Sequence, residues 1–208
     1  MAADRRDHHD AARLAGARLI GAEQIGEGAG DVVDAEQVDR FQSLIVPDMQ
    51  VALEKGLISA IGHLHEPKTG TRVADVDIRH ELATSTGRAL LAVDGLTFTD
   101  NFQPDLLTPL TLGAVANVEG SLSGDGRIEW DENGVRSSGR FGTRSMDFAA
   151  AFGPVDGFST DIVFTDLLGM ESAPSQIARL GTVNPGIPAF DGQIRYRLLP
   201  DQRVSIEG

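Results

Sequence analysis

The sequence has no cysteine. That excludes disulfide frameworks, thiolate metal sites, cysteine nucleophiles and iron–sulfur clusters, but leaves the compartment open, since oxidising and reducing spaces both tolerate a chain without thiols. Aromatic residues are only 5% of 208, and nothing in their number points to a catalytic pocket. Positive charge is scarce. Lys55 and Lys68 are the only lysines, and 18 basic side chains face 31 acidic ones, for a net charge of −13. A nucleic-acid surface ordinarily needs a basic face, so nucleic acid is excluded as a partner. No run of about 18 apolar residues exists to cross a bilayer as a helix. The opening Met1-Ala-Ala-Asp-Arg-Arg-Asp-His-His-Asp10 is charged and leads into no apolar stretch, so it is not a secretory signal. The length suits one ordinary domain or two small ones.

Two compositions follow one another. Residues 1–50 carry 5 basic and 10 acidic side chains and one aromatic, Phe41. Helical stretches are expected at Ala11–Ile20 and Asp34–Ile45, the second because Val38, Phe41 and Ile45 fall on one helix face. Gly21, Gly26, Gly28 and Gly30 interrupt any helix between them. We expect this part to be a poorly ordered or helical leader. From Val51 the apolar period becomes two. Glu54-Lys55-Gly56 reads as a hairpin turn. Leu90-Leu-Ala-Val93 is an apolar run ended by Asp94-Gly95, and Asn133-Gly134 is the strongest short hairpin signal. Met146 and Phe148 alternate with polar or small residues, as do Ile162 and Phe164, and Ile194, Tyr196 and Leu198. The result is nine or ten strands at 8–15-residue spacing, the pattern of an antiparallel meander, sandwich or barrel. Two segments break it: Asn101–Gly113, around Pro104 and Pro109, and Asp166–Pro188. Short helices are expected within 101–113 and at Pro174–Leu180, where proline suits the first turn.

Candidate chemistry is thin. His63 and His65 share a strand face and could hold a metal with Glu66 or His80, but a surface pair beside Pro67-Lys-Thr-Gly70 is the better reading. Asp125, Glu129, Asp131, Glu132 and Asn133 lack EF-hand spacing and read as an acidic turn. The glycine-rich Gly120–Gly126 has no following helix and no Lys-Ser/Thr, so it is no phosphate loop. No G-x-S-x-G elbow exists, and none of the 31 acids is singled out as a glycosidase pair. We therefore expect no enzyme, no cofactor and no metal.

An ordered series of landmarks carries a resemblance. It runs through Glu66-Pro-Lys-Thr-Gly70, Asp94-Gly-Leu-Thr-Phe98, Gln103-Pro-Asp-Leu-Leu107, Ala116-Asn117, Gly120, Gly126-Arg-Ile-Glu-Trp130, Gly134-Val135 and Ser138-Gly139. It continues with Ala149-Ala-Ala-Phe-Gly-Pro-Val155, Phe164-Thr-Asp-Leu-Leu-Gly169, Asn184-Pro-Gly-Ile187, Asp191-Gly192 and Val204-Ser-Ile-Glu207. Over about 140 of the 208 residues this resembles the YdbH-like domain of the AsmA-like proteins of Gram-negative bacteria, in its alphaproteobacterial form, once labelled a dicarboxylate transport domain. The resemblance implies a mainly β fold: an elongated, curled antiparallel sheet built of hairpins, whose apolar concave face is a groove. It also implies a periplasmic location in a longer chain anchored by an N-terminal membrane helix. Phospholipid acyl chains would pass along the groove between inner and outer membranes, and an outer-membrane lipoprotein would be the partner. No catalytic residues transfer. A one-sided apolar sheet suits acyl chains, because each buried CH₂ contributes about 0.8 kcal/mol. The expected lining is Val118, Leu122, Met146, Phe148, Phe152, Phe158, Ile162, Phe164, Ile194, Tyr196 and Leu198.

The chain also departs from the pattern. Landmarks are missing from 1–50 and no anchor is seen, so we expect a fragment: an atypical leader at 1–50, part of it from a non-native reading frame, and a β-rich segment at 51–208 truncated at its C-terminal end. The alternative function is a structural or assembly β-sandwich module binding a protein partner in the cell envelope. A third reading is a carbohydrate-active or solute-binding β-domain.

Overall fold

Turn residues with positive φ set the hairpins. Lys55 (φ 50°) and Gly56 (φ 88°) both lie in the left-handed region, as a type I′ turn requires, and its twist matches that of the strands it joins. They link β4 (Leu44–Glu54) to β5 (Leu57–His65), with Glu54 opposite Leu57. Asn133-Gly134 marks the turn from β8 (Val115–Asp131) to β9 (Gly134–Ala150). The Asp131 carboxylate fixes this turn, accepting from the Asn133 N–H at 2.8 Å and the Arg136 guanidinium at 2.7 Å. Both hairpins are where the residue pattern puts them.

The computed structural model describes residues 13–14, 17–20, 26–34, 41–200 and 203–207. Its other strands are β1 (Arg13–Leu14), β2 (Ala17–Ile20), β3 (Gly26–Asp34), β6 (Arg72–Glu81), β7 (Thr86–Phe98) and β10 (Gly153–Asp166). They are followed by β11 (Glu171–Ser172), β12 (Gln176–Val183), β13 (Ala189–Leu199) and β14 (Arg203–Glu207). They form one antiparallel sheet in sequence order, with β11 alone off the path beside β10. β1 and β14 end that order without pairing with each other, so the sheet is not a closed barrel.

Three expectations need correction. The helices expected at Ala11–Ile20 and Asp34–Ile45 are absent among the described residues, where Arg13–Leu14, Ala17–Ile20, Gly26–Asp34 and Leu44 onward are strands. Leu44, Ile45 and Val46 pair with Val32, Asp31 and Gly30, and their β-branched neighbours favour a pleated surface over the helix face that Val38, Phe41 and Ile45 suggest. Val38 lies outside the described residues. The helix expected at 174–180 is also a strand. Gln176 and Ala178 are buried while Ile177 and Arg179 are exposed, a period of two, and β10 and β13 pair with its two edges. Asp94-Gly95, which ends the apolar run, lies within β7. Gly95 takes φ 71° inside β7, donating its N–H to Ser123 Oγ at 3.0 Å. The helices expected in 101–113 are 3₁₀ turns at Pro104–Leu106 and Pro109–Thr111.

The chain divides into two compact units, residues 1–90 with 128–136 and residues 91–127 with 137–208. In the first, register places Ile58 opposite His80, Ala60 opposite Ile78, Gly62 opposite Val76 and Leu64 opposite Ala74 on one face. Ala60, Leu64, Ala74 and His80 there are buried. Trp130 covers Gly87, where a β-carbon would collide with the indole and lie 2.7 Å from the Arg79 carbonyl oxygen. The Trp130 Nε1–H donates to His80 Nδ1 at 3.1 Å.

Candidate functional site

In the second unit the strands alternate in burial because each carries one apolar side. Ile162 and Phe164 are buried, and Val163 between them is 41% exposed. Register carries the same face across the sheet. Ile162 is opposite Phe141, Thr160 opposite Thr143 and Ala178, Ala178 opposite Ile194, and Gln176 opposite Tyr196. The outcome is a cluster of Ile162, Phe164, Ala178 and Tyr196, with Phe141, Phe158, Leu167, Ile194 and Leu198 packed against it. The Phe141 and Phe164 rings meet edge-on at 6.0 Å, as do Phe148 and Phe158 at 5.5 Å, the geometry the ring quadrupoles favour. Two glycines on β8 make room. A β-carbon on Gly124 would strike the backbone and ring of Phe141, and one on Gly126 would lie 2.7 Å from Leu167. Among the described residues, the only helical turns are the two 3₁₀ pieces in 101–113 and the sheet is single. Ile162, Phe164, Ala178 and Tyr196 are at most 8% exposed, so the face is packed over by the side chains around it.

Of the residues expected to line a groove, Phe158, Ile162, Phe164, Ile194, Tyr196 and Leu198 come together in this cluster. Met146 pairs with Phe158 and Phe148 packs on it. Val118 is buried elsewhere in the unit, its N–H donating to Gln103 Oε1 and its C=O accepting from Gln103 Nε2. Leu122 is half-buried two residues before Gly124. Phe152 is 59% exposed, in the turn between β9 and β10. The list missed Phe141, Leu167 and Ala178. Phe141 follows the polar Arg136–Arg140 stretch, Leu167 sits beyond its strand, and alanine carries little signal in any apolar pattern.

The other candidates resolve into local structure. His63 is hydrogen-bonded through Nδ1 to Asp48, and its N–H donates to the same carboxylate at 3.1 Å. The His63 hydrogen bonds hold the Asp48 carboxyl below its ordinary value. His65 Nδ1 meets the Gly70 carbonyl at 3.0 Å, and His80 meets Trp130. Among the described residues no group of three His, Asp or Glu side chains is placed to hold a metal. Gly120–Gly126 lies inside β8, not in a loop.

Several landmarks are pins of the sheet. Glu66 is 1% exposed. Burial alone would raise its carboxyl, but donation from the Lys68 N–H and from the Thr69 hydroxyl and N–H outweighs it and holds the group below its ordinary value. Gln103 clips the 101–113 segment to Thr99 and Val118. Asp166 accepts from the Ser137 hydroxyl and from the Gly169 N–H at 3.1 Å, closing the loop that presents Leu167. These residues shape a sheet face and make no reacting constellation.

The family model described as YdbH-like, intermembrane phospholipid transport protein YdbH, matches residues 12–208. The chain belongs to the YdbH-like family. Its match takes in most of the 1–50 segment, which corrects the expectation that this part stands outside the family. The YdbH-like family is one of intermembrane phospholipid transport, so its ligand is phospholipid and its setting the cell envelope. No curated protein and no solved structure matches the chain. Among the described residues no helix is long and apolar enough to cross a membrane.

Proposed function

We propose that this chain is part of a periplasmic β-groove that moves phospholipids between the inner and outer membranes, holding acyl chains on the apolar face of its second unit. One observation carries the reading: Ile162, Phe164, Ala178 and Tyr196 form a contiguous apolar cluster on one side of their strands, with Phe141, Phe158, Leu167, Ile194 and Leu198 packed against it. A sheet of this kind must meet something apolar. Acyl chains satisfy it at about 0.8 kcal/mol per buried CH₂, while headgroups remain in water along the open side. The chain acts as a carrier surface and not as an enzyme. An outer-membrane lipoprotein would be its partner.

Photo-crosslinking tests the proposal. A photoreactive residue at Phe158 or Ile194 should capture phospholipid from vesicles, detected by mass spectrometry. The same residue at Val163 or Ile177, exposed on the opposite side of their strands, should capture none. Equal capture on both faces, or none on either, would sink the proposal.

A further inference from the structure

The apolar face of the second unit contains a row of hydroxyls that packing does not explain. Thr143 on β9 stands opposite Thr160 on β10, and the Tyr196 hydroxyl reaches Thr160 Oγ1 at 2.9 Å. Tyr196 crosses toward β10 beside Ala178, which is fully buried and small. Proton bookkeeping can be completed for two of the three. Thr160 Oγ1–H donates to the Ile177 carbonyl at 2.9 Å, so the bond between Thr160 and Tyr196 is donated by the phenol. Burial pushes that phenol above its ordinary value, offset in part by the Thr160 bond, so it keeps its proton. Thr143 Oγ1 is different. The residue is 7% exposed, and its hydroxyl is buried with no hydrogen-bond partner among the described residues.

A buried hydroxyl left unpaired is destabilising by about 1–3 kcal/mol, and valine would fill the same volume without that cost. The free hydroxyl can donate one hydrogen bond and accept others, so a neutral group offering an acceptor satisfies it. Its surroundings narrow the acceptor further. Along the strands the Thr143–Thr160 pair is flanked by Met146 opposite Phe158 on one side and Phe141 opposite Ile162 on the other. A phosphate or other ion would lose its hydration there. An ester carbonyl with a hydrocarbon chain on each side fits both the hydroxyl and its neighbours.

We infer that Thr143, with the Thr160–Tyr196 hydroxyl pair beside it, is a subsite for the ester carbonyl of a diacyl lipid, a polar register mark on an otherwise apolar face. The inference rests on the proposed lipid-carrying role. It also says how such a face would tell one lipid backbone from another: an ether-linked lipid offers the same chains without the carbonyl.

The test loads the full chain from vesicles mixing diacyl and dialkyl-ether phosphatidylcholine in equal parts, then weighs the bound lipids by mass spectrometry. The wild type should prefer the ester lipid by roughly fivefold, the scale of one neutral hydrogen bond. Thr143→Val should bring the ratio to about one, without lowering the urea midpoint. Thr143→Ser should keep the preference. Equal binding of both lipids by the wild type would overturn the subsite and leave the carrier role intact, as would a preference that survives in Thr143→Val. A lower urea midpoint in Thr143→Val would also overturn it, because the hydroxyl would then be structural. Wild-type protein that holds neither lipid would overturn both readings.

Discussion

The two units bury different chemistry on the same kind of sheet. The first unit's face is built from small and aliphatic side chains, with Ala60, Gly62, Leu64 and Ala74 in neighbouring register, and one large ring, Trp130, tied to His80 by a hydrogen bond. The second unit's face is built from Phe141, Phe158, Phe164 and Tyr196. Both use the same device to seat a large group, a glycine on a nearby strand: Gly87 under Trp130, and Gly124 and Gly126 under Phe141 and Leu167. The difference is that the first ring is anchored at a fixed polar contact, whereas in the second unit only Tyr196 has one, to Thr160, and the phenylalanines meet ring edges and aliphatic groups. A face made mostly of unanchored phenylalanine rings can adapt to a mobile apolar ligand. A pinned indole specifies one arrangement.

Each region carries its own reporter, because Trp130 and Tyr196 are the only tryptophan and tyrosine in the chain. The largest effect is expected from Phe164→Ala. Removing a buried ring should lower stability by about 3 kcal/mol, read as an earlier urea transition in the near-ultraviolet signal of Tyr196. If Trp130 emission shifts by the same amount, the units unfold together and the energetic side of the comparison fails. Next is Gly87→Ala, expected to cost about 2 kcal/mol, since the added carbon meets both the indole and the Arg79 backbone. Here Trp130 emission should move first. The smallest effect belongs to Glu66→Gln, about 1 kcal/mol at pH 7, read by the urea midpoint. Its carboxyl lies below the ordinary value of 4.5. Its contribution is therefore complete above about that pH and is lost as pH falls through the depressed folded-state value. Variant and wild type should converge once the pH is below that depressed value. A gap that persists there would mean the charge does not matter.

Where the residue pattern was legible, it was because period and turn chemistry agreed. Glu54-Lys55-Gly56 and Asn133-Gly134 announce their turns, and Ile162 and Phe164 announce their face by alternation. The helix misreadings share a cause. Pro174 fits a helix start, and Ile45 falls on a helical period, but strand pairing decides the described residues at both places, and pairing partners cannot be read from a local window. The apolar cluster was half visible for a related reason. Phe158, Ile162 and Tyr196 alternate in sequence, whereas Ala178 and Leu167 matter through register and loop closure. Thr143 was invisible because a lone threonine on a strand is ordinary. Its missing partner is a fact of three dimensions.

The strand order follows the sequence order almost without exception, and this has a consequence for biogenesis. Loop closure is short at nearly every step, so little chain entropy is lost before each new pairing forms. A strand leaving a ribosome or a translocation pore finds its partner already in place and never waits for distant sequence. Assembly can then proceed like a zip fastener from the N-terminal side. A family that builds longer or shorter sheets has only to add or remove a hairpin, since no strand elsewhere depends on the one inserted.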